Sequence, residues 1–104
     1  MAKDQVLSVD FDGVLHSYAS GWKGADVVAD PPVPGAMAFL EEAVKHFSVQ
    51  IFSSRSKEPE GITAMQRWLR HHYGRLLLKS EEEVNAFMAE IGCLLYTSPS
   101  PRDS

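Results

Sequence analysis

Two aspartates, two residues apart, follow a short apolar run near the start of the chain. Val6, Leu7 and Val9 are typical of a buried strand, and Asp10 and Asp12 come at its carboxyl end. Open α/β sheets bind ligands beyond this end of their strands. An ionised carboxylate can attack phosphorus, and a second carboxyl group can transfer a proton if its surroundings raise its pKa. The pair therefore predicts phosphate chemistry assisted by Mg²⁺, which prefers carboxylate, water and phosphate oxygens.

The same segment is also typical of a tight turn after a strand. Asp12-Gly13 then makes the turn, and Asp10 only caps that turn. A calcium-binding EF-hand loop starting at Asp10 is excluded, because it requires Gly at Leu15 and Glu at Gly21. The tight turn therefore stays open as the alternative to a phosphate site.

A second polar segment follows a second predicted strand. Residues 48–52 are rich in β-prone side chains, and Ser53, Ser54 and Arg55 come directly after them. A helix predicted to begin at Pro34-Gly35 connects the two strands, and such a crossover makes them parallel. The hydroxyl groups are then expected beside Asp10. Ser53 is the first candidate for a phosphate contact and Ser54 the alternative, while Arg55 either pairs with a substrate anion or lies on the surface.

Both segments resemble motifs of the haloacid-dehalogenase-like (HAD-like) phosphohydrolases. Residues 6–15 are similar to the first motif, an apolar strand running into Asp-x-Asp-Gly-[Thr/Val]-[Leu/Val], and residues 48–53 to the second, a strand ending in Ser or Thr. The resemblance implies that Asp10 is the nucleophile and becomes an aspartyl phosphate, while Asp12 protonates the leaving group and then activates water. Both acids are expected at the Mg²⁺. The phosphate-binding residues are expected among Gly13, Ser53, Ser54 and Arg55.

The resemblance also implies the fold class. It is α/β, a Rossmann-like three-layer parallel sheet with flanking helices and a short flap in place of a cap domain. Residues 16–32 correspond to the flap, expected as a helical turn and a β-hairpin, with Trp22 able to cover substrate. His16, Tyr18 and Trp22 either contact a nucleotide or sugar phosphate or belong to a structural flap. Residues 76–78 are a short third strand or a buried loop.

Three apolar stripes at helical spacing are predicted to pack on the sheet. The second is expected to end near Gly74, and Ser80 with Glu83 predicts a capping box at the start of the third. His71 and His72 are adjacent and point in different directions, so they are assigned to the surface or the core margin. The stripes are Met37, Leu40, Val44 and Phe47; Ile62, Met65, Leu69 and Tyr73, flanked by Trp68; and Val84, Phe87, Met88 and Ile91.

The last residues form a separate unit. Residues 93–104 resemble a translated sequencing adapter of the transposase type, which places a partial HAD-like domain at 1–92 and a disordered, adapter-derived tail at 93–104. A genuine Ser/Pro-rich flexible tail is the alternative. On the first interpretation the natural sequence is interrupted near Gly92, and the domain is incomplete at its carboxyl end.

Two further motifs of the family have no counterpart in the sequence. The third supplies a lysine and the fourth one or two further aspartates for Mg²⁺. No apolar strand ending in Asp-Asp follows residue 60, and Lys79, just before a helix, is a poor substitute. The expectation is a phosphomonoester hydrolase in the intact parent protein, with this chain deficient in activity.

Composition excludes several classes. The net charge of −4 provides no basic stripe for nucleic acid, and Cys93 is the single cysteine, so no disulfide is expected. The sequence has neither a signal-peptide apolar region nor a stretch long enough to cross a bilayer, which favours a cytoplasmic protein without a membrane partner.

Two alternatives from other classes stay open. A receiver-like phosphoacceptor module also uses parallel strands, Mg²⁺ and an aspartyl phosphate, but its metal-binding acids usually adjoin and its phosphorylated Asp lies on a later strand. A non-catalytic interaction protein predicts that acid-to-amide changes at Asp10 and Asp12 leave partner binding unchanged.

Overall fold

The computed structural model describes residues 5–93 and shows a small α/β domain. Strands alternate with helices, and a 3₁₀ turn follows the second strand. The elements, in chain order, are β1 (Val6–Asp10), α1 (Ala36–His46), β2 (Ser48–Phe52), the 3₁₀ turn (Ser54–Lys57), α2 (Pro59–Leu76), α3 (Glu81–Glu90) and β3 (Ile91–Cys93). None of the helices within residues 5–93 is both long and apolar enough to cross a bilayer.

The sheet is parallel and its strands lie in the order β1-β2-β3. Val9 of β1 is in register with Ile51 of β2, and Val49 of β2 with Ile91 of β3. Because each crossover returns to the next strand in the same direction, right-handed connections bring the helices to one face of the sheet. The predicted parallel pairing of the first two strands is confirmed.

One face of the sheet carries the core. Val9, Val49 and Ile51 are buried in the same cluster as the apolar sides of all three helices, whereas Val6 and Phe52, on the alternate face, are 62% and 41% exposed. The expectation of three layers is therefore not met within residues 5–93, which form two layers. The reason is topological, because sequential right-handed crossovers leave the second face uncovered.

The predicted helical stripes are present with small differences in their ends. Met65, Leu69 and Tyr73 are buried along α2, and this helix continues two residues beyond Gly74 to Leu76. Ser80 caps α3, since its hydroxyl accepts from the Glu83 N–H while the Glu83 carboxylate accepts from the Ser80 N–H, which confirms the capping box.

The third strand is not where the sequence indicated. The leucines of residues 76–78 end α2 and form the turn after it, and Leu78 is 89% exposed. The strand is β3 instead, so Ile91 follows α3 rather than continuing it. Cys93, assigned to the tail from sequence, has strand backbone in register with Ile51. The rest of the tail lies outside the described residues.

Leu78, in the turn after α2, has a left-handed backbone conformation that favours glycine. It follows the α2 carboxyl cap with φ +55°, and the next N–H, of Lys79, donates to the Gly74 carbonyl over 3.0 Å, as in a Schellman ending. A left-handed conformation costs a β-carbon-bearing residue roughly 1–2 kcal/mol. We expect Leu78→Gly to raise the free energy of unfolding by about 1 kcal/mol in urea titrations. The control Leu76→Gly, at the last position of α2, should lower it.

Candidate functional site

Asp10 and Asp12 lie where the sequence predicted them, at the carboxyl end of β1. Asp10 ends the strand, in register with Phe52 at the end of β2, and its side chain is exposed. Asp12 lies in the following turn, in which Gly13 has φ +88° and donates its N–H to the His16 carbonyl over 2.7 Å. This positive φ explains the glycine. The Gly13 N–H is thus used within the turn, and a phosphate contact at Gly13 stays a prediction.

Ser53 links the two strand ends. It follows β2 directly, and its hydroxyl donates to Asp12 Oδ2 over 3.3 Å while accepting from the Arg55 N–H over 3.1 Å. The hydroxyl was expected beside Asp10; its observed contact is with Asp12, 41 positions away, at the same edge of the sheet. Ser54 is exposed at the start of the 3₁₀ turn.

Arg55 is fully buried, so the surface alternative is wrong. Its Nε lies 3.0 Å from Asp12 Oδ2 and 3.2 Å from Oδ1, and its Nη2 lies 3.0 Å from Oδ1. Nη1 is surrounded by the carbonyl oxygens of Gly24, Ala25 and Val27 at 2.9–3.0 Å. Arg55 thus pairs with an internal carboxylate and the backbone of residues 24–27, and a contact with a substrate anion stays a prediction.

His16 completes the surroundings of Asp12. Its ring is 1% exposed, and Nδ1 lies 2.8 Å from Asp12 Oδ1. Nε2 accepts from the Asp30 N–H over 3.1 Å, so Nδ1 carries the proton and donates it to Asp12. The ring also stacks on Phe11 and meets the edge of Trp68. His16 is therefore buried, with both ring nitrogens hydrogen-bonded inside the protein.

These contacts determine the ionisation of Asp12. Burial acts to raise the pKa of its carboxyl group, but the hydrogen bonds from Arg55 and His16, together with the charge of Arg55, outweigh burial and hold the pKa below the ordinary value of 3.8. A general acid was expected to have a raised pKa. The structure differs because a guanidinium contacts both carboxylate oxygens.

The flap, residues 16–32, lies against this network but is not a regular hairpin. Its base is held by one antiparallel bridge, between His16 and Pro32, and by the Ser17 N–H donating to the Pro31 carbonyl over 3.0 Å. Further along, the Asp30 carboxylate accepts from the backbone N–H and hydroxyl of Ser20 at 2.8–2.9 Å. These hydrogen bonds hold the pKa of Asp30 below its ordinary value.

Of the three aromatic flap residues, Trp22 is the one that is free to meet a ligand. Its ring is 53% exposed and its centroid lies 5.0 Å from the Arg55 guanidinium carbon. Tyr18 is partly buried, in an edge contact with His16, and has φ +63°.

The donor set for a metal ion is smaller than expected. Asp10 makes no side-chain hydrogen bond within residues 5–93, so its exposed carboxylate is open to a cation. Both Asp12 oxygens are taken by protein donors, and the adjacent guanidinium repels a cation. No group of three or more His, Cys, Asp or Glu side chains in this part of the chain is arranged to bind a metal. One carboxylate with water and substrate phosphate still fits Mg²⁺.

The remaining candidates lie outside this network. The Lys79 ammonium is 2.6 Å from the Glu41 carboxylate on α1, so it does not supply a lysine to the site. His71 is exposed and His72 partly buried, as expected for the core margin. Burial, together with the charges of His71 and Arg75, lowers the pKa of His72.

Sequence reasoning missed Asp30 and Trp68 as flap anchors. The Trp68 indole N–H donates to the Asp30 carbonyl over 2.9 Å, joining α2 to the flap across 38 residues. Trp68 carried a partial signal, since it flanked a predicted apolar stripe and an indole N–H requires a partner when buried. Asp30 carried none.

Comparisons with protein-family models, curated proteins and solved structures found no match for this chain.

Proposed function

We propose that the chain is part of a Mg²⁺-dependent phosphohydrolase of the HAD-like type, which cleaves phosphomonoesters through an aspartyl phosphate. The observation that carries the proposal is the hydrogen bond between Ser53 and Asp12 at the edge of the sheet where β1 ends in Asp10. An exposed carboxylate ends β1, and the hydroxyl that follows β2 contacts its neighbouring acid. Nucleotide and sugar phosphates are the substrate class, with Trp22 as the aromatic surface for the organic part.

Asp10 is the proposed nucleophile because it is exposed and makes no side-chain hydrogen bond within residues 5–93. One oxygen attacks phosphorus, the bond to the ester oxygen breaks, and the leaving alcohol takes a proton; water then hydrolyses the acyl phosphate to regenerate Asp10 and release phosphate. Ser53 is placed to donate a hydrogen bond to a phosphoryl oxygen once it leaves Asp12. Mg²⁺ bound at Asp10 would offset the charge on the phosphoryl group.

Asp12 has the proposed role of proton donor and then base, but its present contacts oppose that role. The carboxylate accepts from Arg55, His16 and Ser53, which stabilise its charged form. Protonation of a leaving group by Asp12 therefore requires that it exchange at least part of the Arg55 contact for substrate.

We further propose that residues 1–104 alone are deficient in turnover. No late strand in the sequence ends in paired aspartates, and the late Lys79 is paired with Glu41. The charge of a transferring phosphoryl group needs cations from protein or metal, and one open carboxylate binds Mg²⁺ weakly.

The test uses two proteins. The source DNA is amplified past the codon for Ile91, and the continuing frame is expressed beside the 104-residue chain. With Mg²⁺ and a panel of nucleoside and sugar monophosphates, we expect the longer protein to release phosphate and Asp10→Asn to lower kcat/KM at least about a thousandfold. Glu82→Gln, an exposed acid on α3, is the control and should not change kcat/KM.

The outcomes separate the two claims. A longer protein whose phosphatase activity is insensitive to Asp10→Asn would contradict the proposed nucleophile. Robust Mg²⁺-dependent activity of the 104-residue chain, abolished by Asp10→Asn, would contradict the deficiency. A long-lived phosphoprotein formed from acetyl phosphate, with little turnover, would favour the receiver-like alternative.

The second candidate function is a non-catalytic interaction domain. The observation that favours it is the complete use of Asp12 in an internal network, in which the carboxylate holds Arg55 rather than facing a ligand. This candidate predicts no phosphate release from the longer protein and partner binding that is unchanged by Asp10→Asn.

A further inference from the structure

Three carbonyl oxygens of the flap converge on one nitrogen of Arg55. Those of Gly24 and Ala25 lie 3.0 Å from Nη1, and that of Val27 lies 2.9 Å from it. Converging carbonyl groups present the negative ends of their dipoles to one another, so the arrangement needs a cation at its centre. The conformation of residues 24–27 thus depends on a side chain that lies 28 to 31 positions away.

The other side of the same guanidinium contacts Asp12. Nε and Nη2 approach both carboxylate oxygens at 3.0–3.2 Å, in the fork geometry that only arginine provides. Arg55 is 0% exposed, so these contacts are made out of water, where charged hydrogen bonds are strong. Trp22 lies over the guanidinium on the outer side and adds a cation–π contact.

We propose that Arg55 is a positioning residue that fastens the flap to the Asp12 carboxylate, so that the flap position and the orientation of Asp12 change together. Displacing residues 24–27 removes three acceptors from Arg55, and moving Asp12 removes the charge that holds Arg55 in place. Substrate entry past Trp22 and release of Asp12 from its internal contacts then occur together, because both break the contacts of Arg55. The inference rests on the proposed function only in treating Asp12 as a reacting group.

The flap has separate anchors that do not involve Arg55. Ser20 with Asp30, and Asp30 with Trp68 and His16, hold its base. Removing Arg55 is therefore expected to release residues 24–27 while the base stays closed. Two backbone hydrogen bonds report on the two parts separately. The Val27 N–H donates to the Gly24 carbonyl over 3.1 Å, and the Ser17 N–H to the Pro31 carbonyl over 3.0 Å.

The test is amide hydrogen exchange on the full 104-residue chain, wild type against Arg55→Lys. Lysine keeps the charge but has no fork, so it can satisfy the carbonyl oxygens or Asp12 and not both. We expect exchange at the Val27 N–H to accelerate about tenfold or more, and by a clearly larger factor than exchange at the Ser17 N–H and in the core of α2, which follow the stability of the whole domain. Arg70→Lys, an exposed arginine on α2, is the matched control and should change none of these rates.

A double-mutant cycle with Asp12→Asn makes the test specific to the bridge. If Arg55 acts through Asp12, the single variants each accelerate Val27 exchange and the double variant accelerates it little further. In Arg55→Ala, millimolar guanidinium should restore slow Val27 exchange, whereas the same concentration of tetramethylammonium should not. This rescue is a readout that general loss of packing does not produce.

Two results would overturn the inference. Unchanged Val27 exchange in Arg55→Lys would show that Arg55 does not hold the flap. Equal acceleration at Val27, Ser17 and the α2 core in Arg55→Lys and Asp12→Asn, without rescue in Arg55→Ala, would show that Arg55 only stabilises the domain as a whole. Neither result depends on phosphatase activity, so failure here and failure of the proposed function are separate outcomes.

Discussion

Arg55→Met is expected to lower the free energy of unfolding by about 3 kcal/mol or more, because it leaves a partly buried carboxylate without its cation. The Asp12 side chain is 19% exposed and keeps hydrogen bonds from His16 and Ser53, so water can offset a part of the loss. Three flap carbonyls lose their common donor at the same time. The loss is large beside a net stability of about 5–15 kcal/mol for a typical domain.

Urea unfolding followed by far-UV circular dichroism measures this effect. Arg70→Met is the matched control, because Arg70 is exposed and its side-chain partner is Asn85; it should stay within about 0.5 kcal/mol of wild type. The double variant Arg55→Met with Asp12→Asn should lose less than the two single losses together, since the uncompensated charge is gone. Strict additivity would mean that the two residues do not stabilise each other.

The sequence predicted the frame that positions the site. The apolar runs before Asp10 and Ser53, with a single amphipathic helix between them, allow little besides two parallel strands ending at the same edge. The structure has this arrangement, with Asp10 and Phe52 in register. These elements were predictable because each has a strong local pattern and a short connection.

The third strand was not predictable because its local signals are ambiguous. Ile91 continues the helical spacing of Val84 and Phe87, and the three leucines of residues 76–78 have more strand character than Ile91-Gly92. Pairing with β2 decides the matter, since Ile91 gains a buried position beside Val49. Such tertiary pairing overrides local preference in short segments.

The surroundings of Asp12 were predicted only in part, and for a physical reason. Residue types indicated a carboxylate and a hydroxyl at one edge, and Ser53 does contact Asp12. The burial of Arg55 depends on three backbone carbonyl groups in the flap. Every residue has a backbone carbonyl group, so residue types do not predict which of these groups will meet a buried side chain. An arginine after a predicted strand end therefore gives no indication of whether its donors meet substrate or protein.

Gly61→Ala is expected to destabilise the domain by about 3 kcal/mol, the opposite of the usual effect of this change within a helix. Gly61 lies in the first turn of α2 and is buried. A β-carbon there would lie 2.1 Å from the Arg55 carbonyl oxygen and 2.9 Å from its carbonyl carbon, both backbone atoms. Relief of this overlap requires α2 to move away from the 3₁₀ turn.

The movement would also disturb the Asp12 network, because the Arg55 carbonyl accepts from the Glu58 N–H over 3.2 Å at the end of that turn. We therefore expect Gly61→Ala to accelerate exchange at the Val27 N–H as well as to lower the midpoint of urea unfolding. Because Gly61 has no side chain, the backbone of α2 packs directly against the Arg55 carbonyl group. This packing supports Arg55, which joins the flap to Asp12.

Gly74→Ala is the matched control in the same helix. A β-carbon at Gly74 would lie 3.2 Å from Val84 Cγ2, a side-chain methyl group that can shift slightly. The helix-propensity gain of about 1 kcal/mol should offset that contact, so the unfolding free energy should stay within about 1 kcal/mol of wild type. If Gly61→Ala instead stabilised the chain as much as an ordinary helical Gly→Ala change, the packing of α2 against the Arg55 backbone would be wrong, and with it the support that this helix gives to the site.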